Sequence, residues 1–454
     1  MKYFDPHLLK KWTGGFWTDE PINKIENFCF DTRKIGKNEC FLAIKNTNND
    51  GHNYVKTAKI SGAVAAIVEH EISNVPLPQL VVKNTLDAFQ NIAKHYRKTL
   101  STKIIGVTGS CGKTSLKELL ALLLGDKTFK TPENFNNHLG LPFSITQIDS
   151  ENHKNAVIEV GISHKNEMDS LANILQPDEA IITNIGPAHL GNFNSLDDIG
   201  IEKFKLFNST NGNVFFFEKY QKYHHEKGHT YVLSTLQKNH SASRLISPKS
   251  HCTNIFYKLS KSENGWDIIV SDSKFHIPFL LGSGAVQNFV LAITVALKNN
   301  LSTTLIQKRL LQWKPFQNRG TWKTIGTKHY FIDCYNANPN SYADSLERFY
   351  NEKSKNSPTC FVLGSMEELG PDSEKYHQEI AEHIALNSKD RFICIGHFCE
   401  AIKEGLIKKG FANKQIQYTK TTNEAIPLLQ CLPQKYIYLK GSHCYHLENL
   451  VAEN

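Results

Sequence analysis

The chain has 454 residues, enough for about three domains at roughly 150 residues each. Hydrophobic residues make up 40% and charged residues 21%, which excludes wholesale disorder, a collagen-like repeat and a coiled coil. The net charge of +8 comes from scattered lysines and arginines without a long basic run, so no nucleic-acid-binding tail is visible and a mildly basic enzyme with anionic substrates fits.

No run of about eighteen apolar residues exists, so no membrane insertion is expected. Met1 to Lys11 lacks the apolar centre of a signal peptide, and the expected setting is the cytosol, with no nucleic-acid partner. The ten cysteines form no C-x-x-C pair. They are expected to be reduced and mostly buried as small apolar residues. The 20 histidines show no metal spacing, and His224 and His225, in a polar stretch, are expected in water.

Residues 1–100 alternate short apolar runs with amphipathic stretches. Strands are predicted at 40–44, 64–68 and 80–82 and helices at 53–61 and 85–100, a small α/β domain. A second unit is expected over 101–315. Its buried strand at 104–107 runs into a glycine-rich turn and a helix over 114–124. Further strands are predicted at 156–160 and 180–183, and a helix at 283–300. Ser195 opens another helix, with Asp198 completing an N-cap signature. Between 218 and 265 the chain is polar and weakly patterned, and no element is assigned. Residues 316–454 alternate strands at 330–334, 360–363, 392–395 and 436–439 with helical stretches, the pattern of a parallel sheet covered on both faces.

Thr108-Gly109-Ser110-Cys111-Gly112-Lys113-Thr114 lies between a strand and a helix, the setting a phosphate loop requires. Its glycines let backbone N–H groups face phosphate oxygens, and the helix N-terminus adds partial positive charge. Lys113 can reach outer phosphates, and the Thr114 hydroxyl can hold Mg²⁺. The bland alternative is a glycine turn that merely joins strand to helix. The general phosphate loop carries glycine five positions ahead of Gly112. Here that residue is Val107, so the loop is of the short Thr-Gly-x-x-Gly-Lys variety.

Two charged residues stand out. Glu159 ends a strand where open α/β sheets bind ligands; it is either a ligand-facing carboxylate or a strand-end residue in water. On the helix from Ser195, residues Leu196, Ile199, Lys203, Leu206 and Phe207 share one face. A lysine on an apolar face is costly unless it is paired, modified or functional. The alternative is a side chain that snorkels its head to water, and Ile201 and Phe204 blur the stripe.

The short loop and five further segments resemble the Mur ligases, which add amino acids to a cell-wall peptide precursor. The segments are Asp31-Thr32-Arg33, Asn134-Phe135-Asn136-Asn137-His138-Leu139-Gly140, Asp333-Cys334-Tyr335-Asn336-Ala337-Asn338-Pro339-Asn340-Ser341, Leu363-Gly364-Ser365-Met366-Glu367-Glu368-Leu369-Gly370 and Lys440-Gly441-Ser442. They span nearly the whole chain. The resemblance implies a three-domain α/β architecture: 1–100 binding the UDP substrate, 101–315 a central ATP-binding parallel-sheet domain, and 316–454 a Rossmann-like domain. It also implies ATP, two Mg²⁺ ions and amide formation through an acyl phosphate. The Asn-Ala-Asn-Pro segment matches the member that adds a dipeptide, so the implied substrates of a monomer are UDP-N-acetylmuramoyl-tripeptide and D-alanyl-D-alanine.

The resemblance further implies roles by position. Gly109, Ser110, Cys111, Gly112, Lys113, Thr114 and Ser115 would surround the ATP phosphates, with Asn288 near the adenine and Arg319, Asp333 and Tyr335 on the nucleotide. Thr114, Glu159, His189 and Lys203 would serve Mg²⁺, Lys203 as a carbamylated lysine. Lys113, His189 and Lys203 are the implied catalytic residues. Asp31, Thr32, Arg33, Asn134, Asn136, Asn137, Asn336 and Asn338 would meet the substrates, and Lys440 could reach the ligand or stand in solvent. The chain departs from the family pattern at Glu133 and Asn318 (each for Gly), Gln287 (for His), Ser365 (for Asp) and His443 (for Arg). It reads Val160-Gly161-Ile162-Ser163-His164 where the family has Gly-Ala-Asn-His. These changes bear on the adenine and dipeptide pockets. Cys111 is expected to make the loop sensitive to thiol oxidation, and 315–320 is the expected hinge of a closing motion. Competing readings are a phosphate-loop kinase or NTPase, a ligase that adds a single amino acid, and a binding protein that has lost activity.

Overall fold

The computed structural model describes residues 2–451, except 22, 226–228, 237–251 and 317. Three sheets follow one another along the chain. The first contains β1 (Phe16–Trp17), β2 (Asn27–Cys29), β3 (Glu39–Leu42), β4 (Ala65–Val68) and β5 (Gln79–Val81), in spatial order β1-β5-β4-β3-β2. Helices α1 (Pro6–Thr13), α2 (Val55–Ile60) and α3 (Thr85–Thr99) belong to the same block. Asp5 caps α1 by accepting from His7 N at 2.8 Å, and Asn84 caps α3 by accepting from Asp87 N at 2.9 Å.

The central sheet has nine strands: β6 (Lys103–Thr108), β7 (Thr128–Lys130), β8 (Asn155–Glu159), β9 (Glu179–Ile182), β10 (Asn213–Phe217), β11 (His229–Thr235), β12 (Cys252–Ser262), β13 (Gly265–Val270) and β14 (Ser273–Ile277). Their order is β14-β13-β12-β11-β10-β9-β6-β8-β7, parallel from β7 to β12 and antiparallel beyond. With it run α4 (Lys113–Leu124), α5 (Gly140–Thr146), α6 (Glu167–Leu175), α7 (Leu196–Phe204), α8 (Ser283–Lys298) and α9 (Thr303–Leu310). Strand β6 lies between β8 and β9, so its connections leave in opposite directions and open a crevice at its carboxyl end. Leu116, Leu119, Leu120 and Leu123 bury one stripe of α4. At the far edge, Gln307 of α9 pairs with β14: its Oε1 accepts from His276 N at 2.9 Å and its Nε2 donates to His276 O at 2.8 Å.

The third sheet contains β15 (Thr321–Ile325), β16 (Lys328–Asp333), β17 (Thr359–Gly364), β18 (Arg391–Ile395), β19 (Ile416–Thr419) and β20 (Tyr436–Lys440), in order β15-β16-β20-β17-β18-β19. Only β15 runs antiparallel. Helices α10 (Pro339–Glu352), α11 (Ser373–Glu379), α12 (Cys399–Lys409) and α13 (Thr422–Cys431) accompany it. Buried apolar residues on one face of the first sheet and those of the central sheet form one continuous core, from Phe4 to Leu310, while the other face of the first sheet keeps a core of its own around Phe41, Ala66 and Val68. The third sheet keeps separate cores, one on each face. Among the described residues, no helix is long and apolar enough to cross a membrane.

Several sequence expectations change. The helix from Ser195 ends at Phe204 and continues as a tighter turn over Lys205–Ser209. Leu196 is exposed, and Phe204 joins Ile199, Lys203, Leu206 and Phe207 inside. The unassigned stretch holds a helical turn (Glu218–Tyr223), β11 and all of β12, with 226–228 and 237–251 outside the described residues. His224 is not in water: its ring packs among Phe204, Phe207 and Phe216, and its Nε2 lies 2.9 Å from Thr230 Oγ1. The expectation from the polar stretch fails there because the aromatic partners come from α7, the turn after it and β10. Six of the ten cysteines are buried, while Cys431 and Cys444 are exposed.

Candidate active site

A cleft of about 1240 Å³ separates the carboxyl ends of the central and third sheets. On one side, β6 delivers the glycine turn into the N-terminus of α4. Gly109 has φ +153° and a Cβ there would lie 1.9 Å from Thr183 Oγ1; Gly112 has φ +78° against Asn288. Both positions therefore demand glycine. The turn is braced by the loop after β9. Cys111 N donates to Asn184 Oδ1 at 2.8 Å, Ser110 Oγ to Gly186 O at 2.7 Å, and Thr183 Oγ1 to Cys111 O at 2.6 Å. Asn288 Nδ2 donates to Gly112 O at 3.2 Å. Lys113 Nζ folds back onto Gly109 O at 2.9 Å. Burial pushes its ammonium pKa down, opposed by the nearby Glu159.

Glu159 is buried at the end of β8. Its carboxylate accepts from Thr114 Oγ1 and from Asn136 Nδ2, each at 2.8 Å. Carboxylate, hydroxyl and amide oxygen-bearing groups together form a hard donor set suited to Mg²⁺. Arg319, from the segment leading to the third sheet, donates to Thr114 Oγ1 at 3.0 Å and lies 3.9 Å from the Tyr335 ring centre. Its Nε is buried with no hydrogen-bond partner among the described residues. An unpaired guanidinium N–H at a phosphate loop fits an anionic ligand.

The third sheet supplies the opposite wall. Asp333 ends β16 and accepts from Lys440 Nζ at 3.0 Å; Lys440 also donates to Asn336 O at 3.0 Å and is 1% exposed. Lys440 is therefore neither solvent-facing nor free. Asn336 accepts from Ala337 N with its own side chain, and Asn338 caps α10 by accepting from Ser341 N, both at 2.8 Å. His189, in a left-handed conformation, pairs through Nδ1 with Glu368 from the third block. Burial pushes the His189 pKa down against the pull of Glu368.

Not every predicted residue reaches the cleft. Ser110 to Ser115, Asn134, Asn136, Asn137, Glu159, His189, Asn288, Arg319, Asp333, Tyr335, Asn336 and Asn338 line it, whereas Gly109, Lys203, Asp31, Thr32 and Arg33 do not. Lys203 sits beneath, 2% exposed. Burial drives its pKa well below the ordinary lysine range, and the charge of Lys113 pushes the same way. Asp31 is occupied by Arg33, whose Nε and Nη2 each donate to it at 2.8 Å. That guanidinium holds the Asp31 carboxyl down at about 2. Burial raises the Cys111 thiol, which disfavours the reactive thiolate and opposes the expected oxidation sensitivity.

The sequence reading missed three features. Lys117 of α4 is fully buried; its Nζ donates to Thr131 O at 2.8 Å and Glu133 O at 3.1 Å. It thereby holds the segment whose Thr131 Oγ1 accepts from Glu159 N at 2.8 Å and which leads to Asn136. The signal was present: Lys117 sits among the leucines of α4, as Lys203 sits among the apolar residues of α7. Asp344 of α10 accepts from Gly284 N at 2.6 Å and Ala285 N at 3.1 Å at the start of α8, and Glu347 accepts from Ser283 N and Oγ at 2.8 Å. Burial raises the Asp344 carboxyl to about 6. Glu368 is the third, and it becomes visible only when the sheets face each other.

A short phosphate loop facing a second parallel sheet, with an arginine between them, defines a nucleotide-using α/β enzyme that works across two walls. Residues 107–296 match the Mur ligase middle domain and residues 320–443 the Mur ligase glutamate ligase domain. The UDP-N-acetylmuramoyl-tripeptide–D-alanyl-D-alanine ligase of Bacillus subtilis is 31% identical over 451 residues, covering 94% of this chain and 93% of its own. A crystal structure of MurF from Acinetobacter baumannii, 27% identical, matches with a TM-score of 0.82 over 99% of this chain and 98% of its own. The MurF ligase of Thermotoga maritima, solved in complex with ADP, shares the fold at a TM-score of 0.71 and 23% identity over 94% of this chain and 96% of its own. The chain belongs to the Mur ligase family.

Proposed function

We propose that this chain joins D-alanyl-D-alanine to UDP-N-acetylmuramoyl-tripeptide in the cytoplasm, with ATP converted to ADP and phosphate, in the synthesis of the peptidoglycan precursor. The observation that carries the proposal is the two-walled cleft, with Lys113, Thr114, Glu159 and Arg319 converging on its floor. Relatives bearing that activity in their names match along nearly the whole chain. In this reading 1–100 holds the UDP substrate, 101–315 the nucleotide, and 316–454 closes over it.

A carboxylate has no good leaving group, so the peptide carboxylate first takes the γ-phosphoryl of ATP. The amine of the dipeptide then attacks the acyl carbon and expels phosphate. Mg²⁺ held by Thr114 and Glu159, with His189 and a carbamylated Lys203 at a second position, would offset the charge of the meeting anions. Lys113 swings from Gly109 O to the outer phosphates, and Arg319 turns its unpaired Nε to the nucleotide. Both groups stabilise charge that grows in the transition state. The depressed pKa of Lys203 supports its modification, because carbamylation requires the neutral amine. The resident pairing of Glu368 with His189 would yield when a cation competes for the imidazole.

Phosphate release is the test, measured with and without each substrate and followed by the mass of the product. Release that requires both substrates, with a product heavier by the dipeptide, is expected. Release indifferent to both would establish an NTPase, a product heavier by one amino acid a neighbouring ligase.

A further inference from the structure

Outside the cleft, the turn after β20 gathers another set of donors. The sequence reading finds no metal spacing among the histidines, yet His443 and His446 meet across a tight turn over His443–Tyr445. His446 N donates to His443 O at 2.9 Å and Asn449 N to His446 O at 3.0 Å, so the backbone is fixed on both sides. Both rings are exposed and Glu448 reaches toward them. One ligand atom from each of the three residues lies within 4.8 Å of the others.

The spacing suits a small ion. His446 Nδ1 is 3.5 Å from Glu448 Oε1, near the roughly 3.3 Å that separates two ligands around a tetrahedral zinc ion with bonds of about 2.0–2.1 Å. The two imidazoles stand 5.2 Å apart and nearly perpendicular, at 84°, and exposed rings can rotate the remaining distance. The other Glu448 oxygen, Oε2, accepts from the buried Cys334 thiol at 3.4 Å. Such an outer partner orients a ligating carboxylate.

We propose that His443, His446 and Glu448 bind a borderline divalent transition ion of the Zn²⁺ class, leaving a fourth position to water. Two imidazoles and one carboxylate favour such an ion over Mg²⁺, whereas the oxygen-rich surroundings of Glu159 favour the reverse. The site is coupled to the cleft: the His443 ring contacts Tyr335 at 5.4 Å, and Tyr335 stacks on Arg319.

The test uses the full chain, stripped with a chelator and titrated with Co²⁺ under excess Mg²⁺. One equivalent of Co²⁺ with the visible absorption of a nitrogen-ligated ion is expected. His443→Ala and His446→Gln should each weaken it by at least the factor of about 10 seen when only an outer partner is lost. Both positions are exposed, and unchanged thermal melting checks folding. Glu159→Gln should leave the Co²⁺ signal in place. Absence of binding under Mg²⁺, binding that both histidine variants retain, or binding that Glu159→Gln removes would each overturn the proposal. None of these outcomes bears on the ligase reading.

Discussion

The molecule has two joints, and they are built differently. Where the first block meets the central sheet, the core is continuous and long side chains bond across it. Tyr96 Oη donates to Ile148 O at 2.6 Å, and Arg97 donates to Leu175 O and Gln176 O at 2.9 Å and to Asp178 at 3.0 Å. Where the central sheet meets the third, the cores are separate and the contact is a cleft crossed by polar bonds: Asp344 and Glu347 to the start of α8, Glu368 to His189, and Arg319 to Thr114. Apolar burial scales with area and resists opening. A few hydrogen bonds across an open cleft are exchanged for water at smaller cost. The first joint is therefore expected to behave as one body and the second to be the one that opens.

The largest effect should come from the cleft floor. Lys113→Ala should lower product formation by about 10²–10³-fold, the loss found when one preorganised charge donor is removed. A tenfold loss or less in a steady-state assay would make the loop a connector. Lys117→Met should be nearly as damaging for another reason. It frees the segment that places Glu159 and Asn136, and misplacement of about 1 Å costs up to roughly 100-fold. The signature is a raised Mg²⁺ requirement beyond a stability loss of about 2–3 kcal/mol, because the Thr131 and Glu133 carbonyls lose their donor.

The joints themselves can be separated next. Arg97→Met leaves two buried carbonyls without a donor and should reduce stability by about 2–3 kcal/mol in denaturant melts, with KM for ATP unchanged. Glu347→Ala should do the opposite, raising KM with little change in the melt. If both variants behaved alike, the distinction between the joints would fail.

Smaller still is a pH effect at the second joint. The Asp344 carboxyl is raised from 3.8 to about 6 by burial, so the closed state binds the proton more tightly than the open or unfolded one. Its contribution is fully present below about pH 3.8 and is lost as pH rises to about 6. Asp344→Asn should flatten that part of the melting-temperature profile between pH 4 and 6. An unchanged slope would mean that the carboxylate is solvated.

The smallest effect concerns the two departures from glycine. Glu133 has φ +45° and Asn318 φ +56°. A left-handed residue other than glycine costs roughly 1–2 kcal/mol, and asparagine less because it tolerates that region. Glu133→Gly should therefore gain more stability than Asn318→Gly, by an amount under about 1 kcal/mol.

Much of this was legible in the sequence where structure is local. The phosphate loop, α4, the Ser195 cap and four of the six strands of the third sheet follow from periodicity and turn chemistry. The conformational demand at Glu133 and Asn318 was hidden, because a departure from a family glycine does not say whether the backbone changed with it. Asp344, Glu347 and Glu368 were illegible for a stronger reason. Each is an ordinary charged residue in its own element, and its partner lies on another sheet. His224 misled because polar neighbours in sequence say nothing about aromatic neighbours in space.

The pairing of Gln307 with His276 has a bearing on how the protein behaves in a crowded solution. A nine-stranded sheet that stays open must end somewhere, and its last strand presents free peptide groups that invite a second chain to add itself. The Gln307 amide meets the outward N–H and C=O of His276 as a neighbouring backbone would. At His276 one side chain thus stands in for a tenth strand and blocks that point of the β14 edge against an incoming chain.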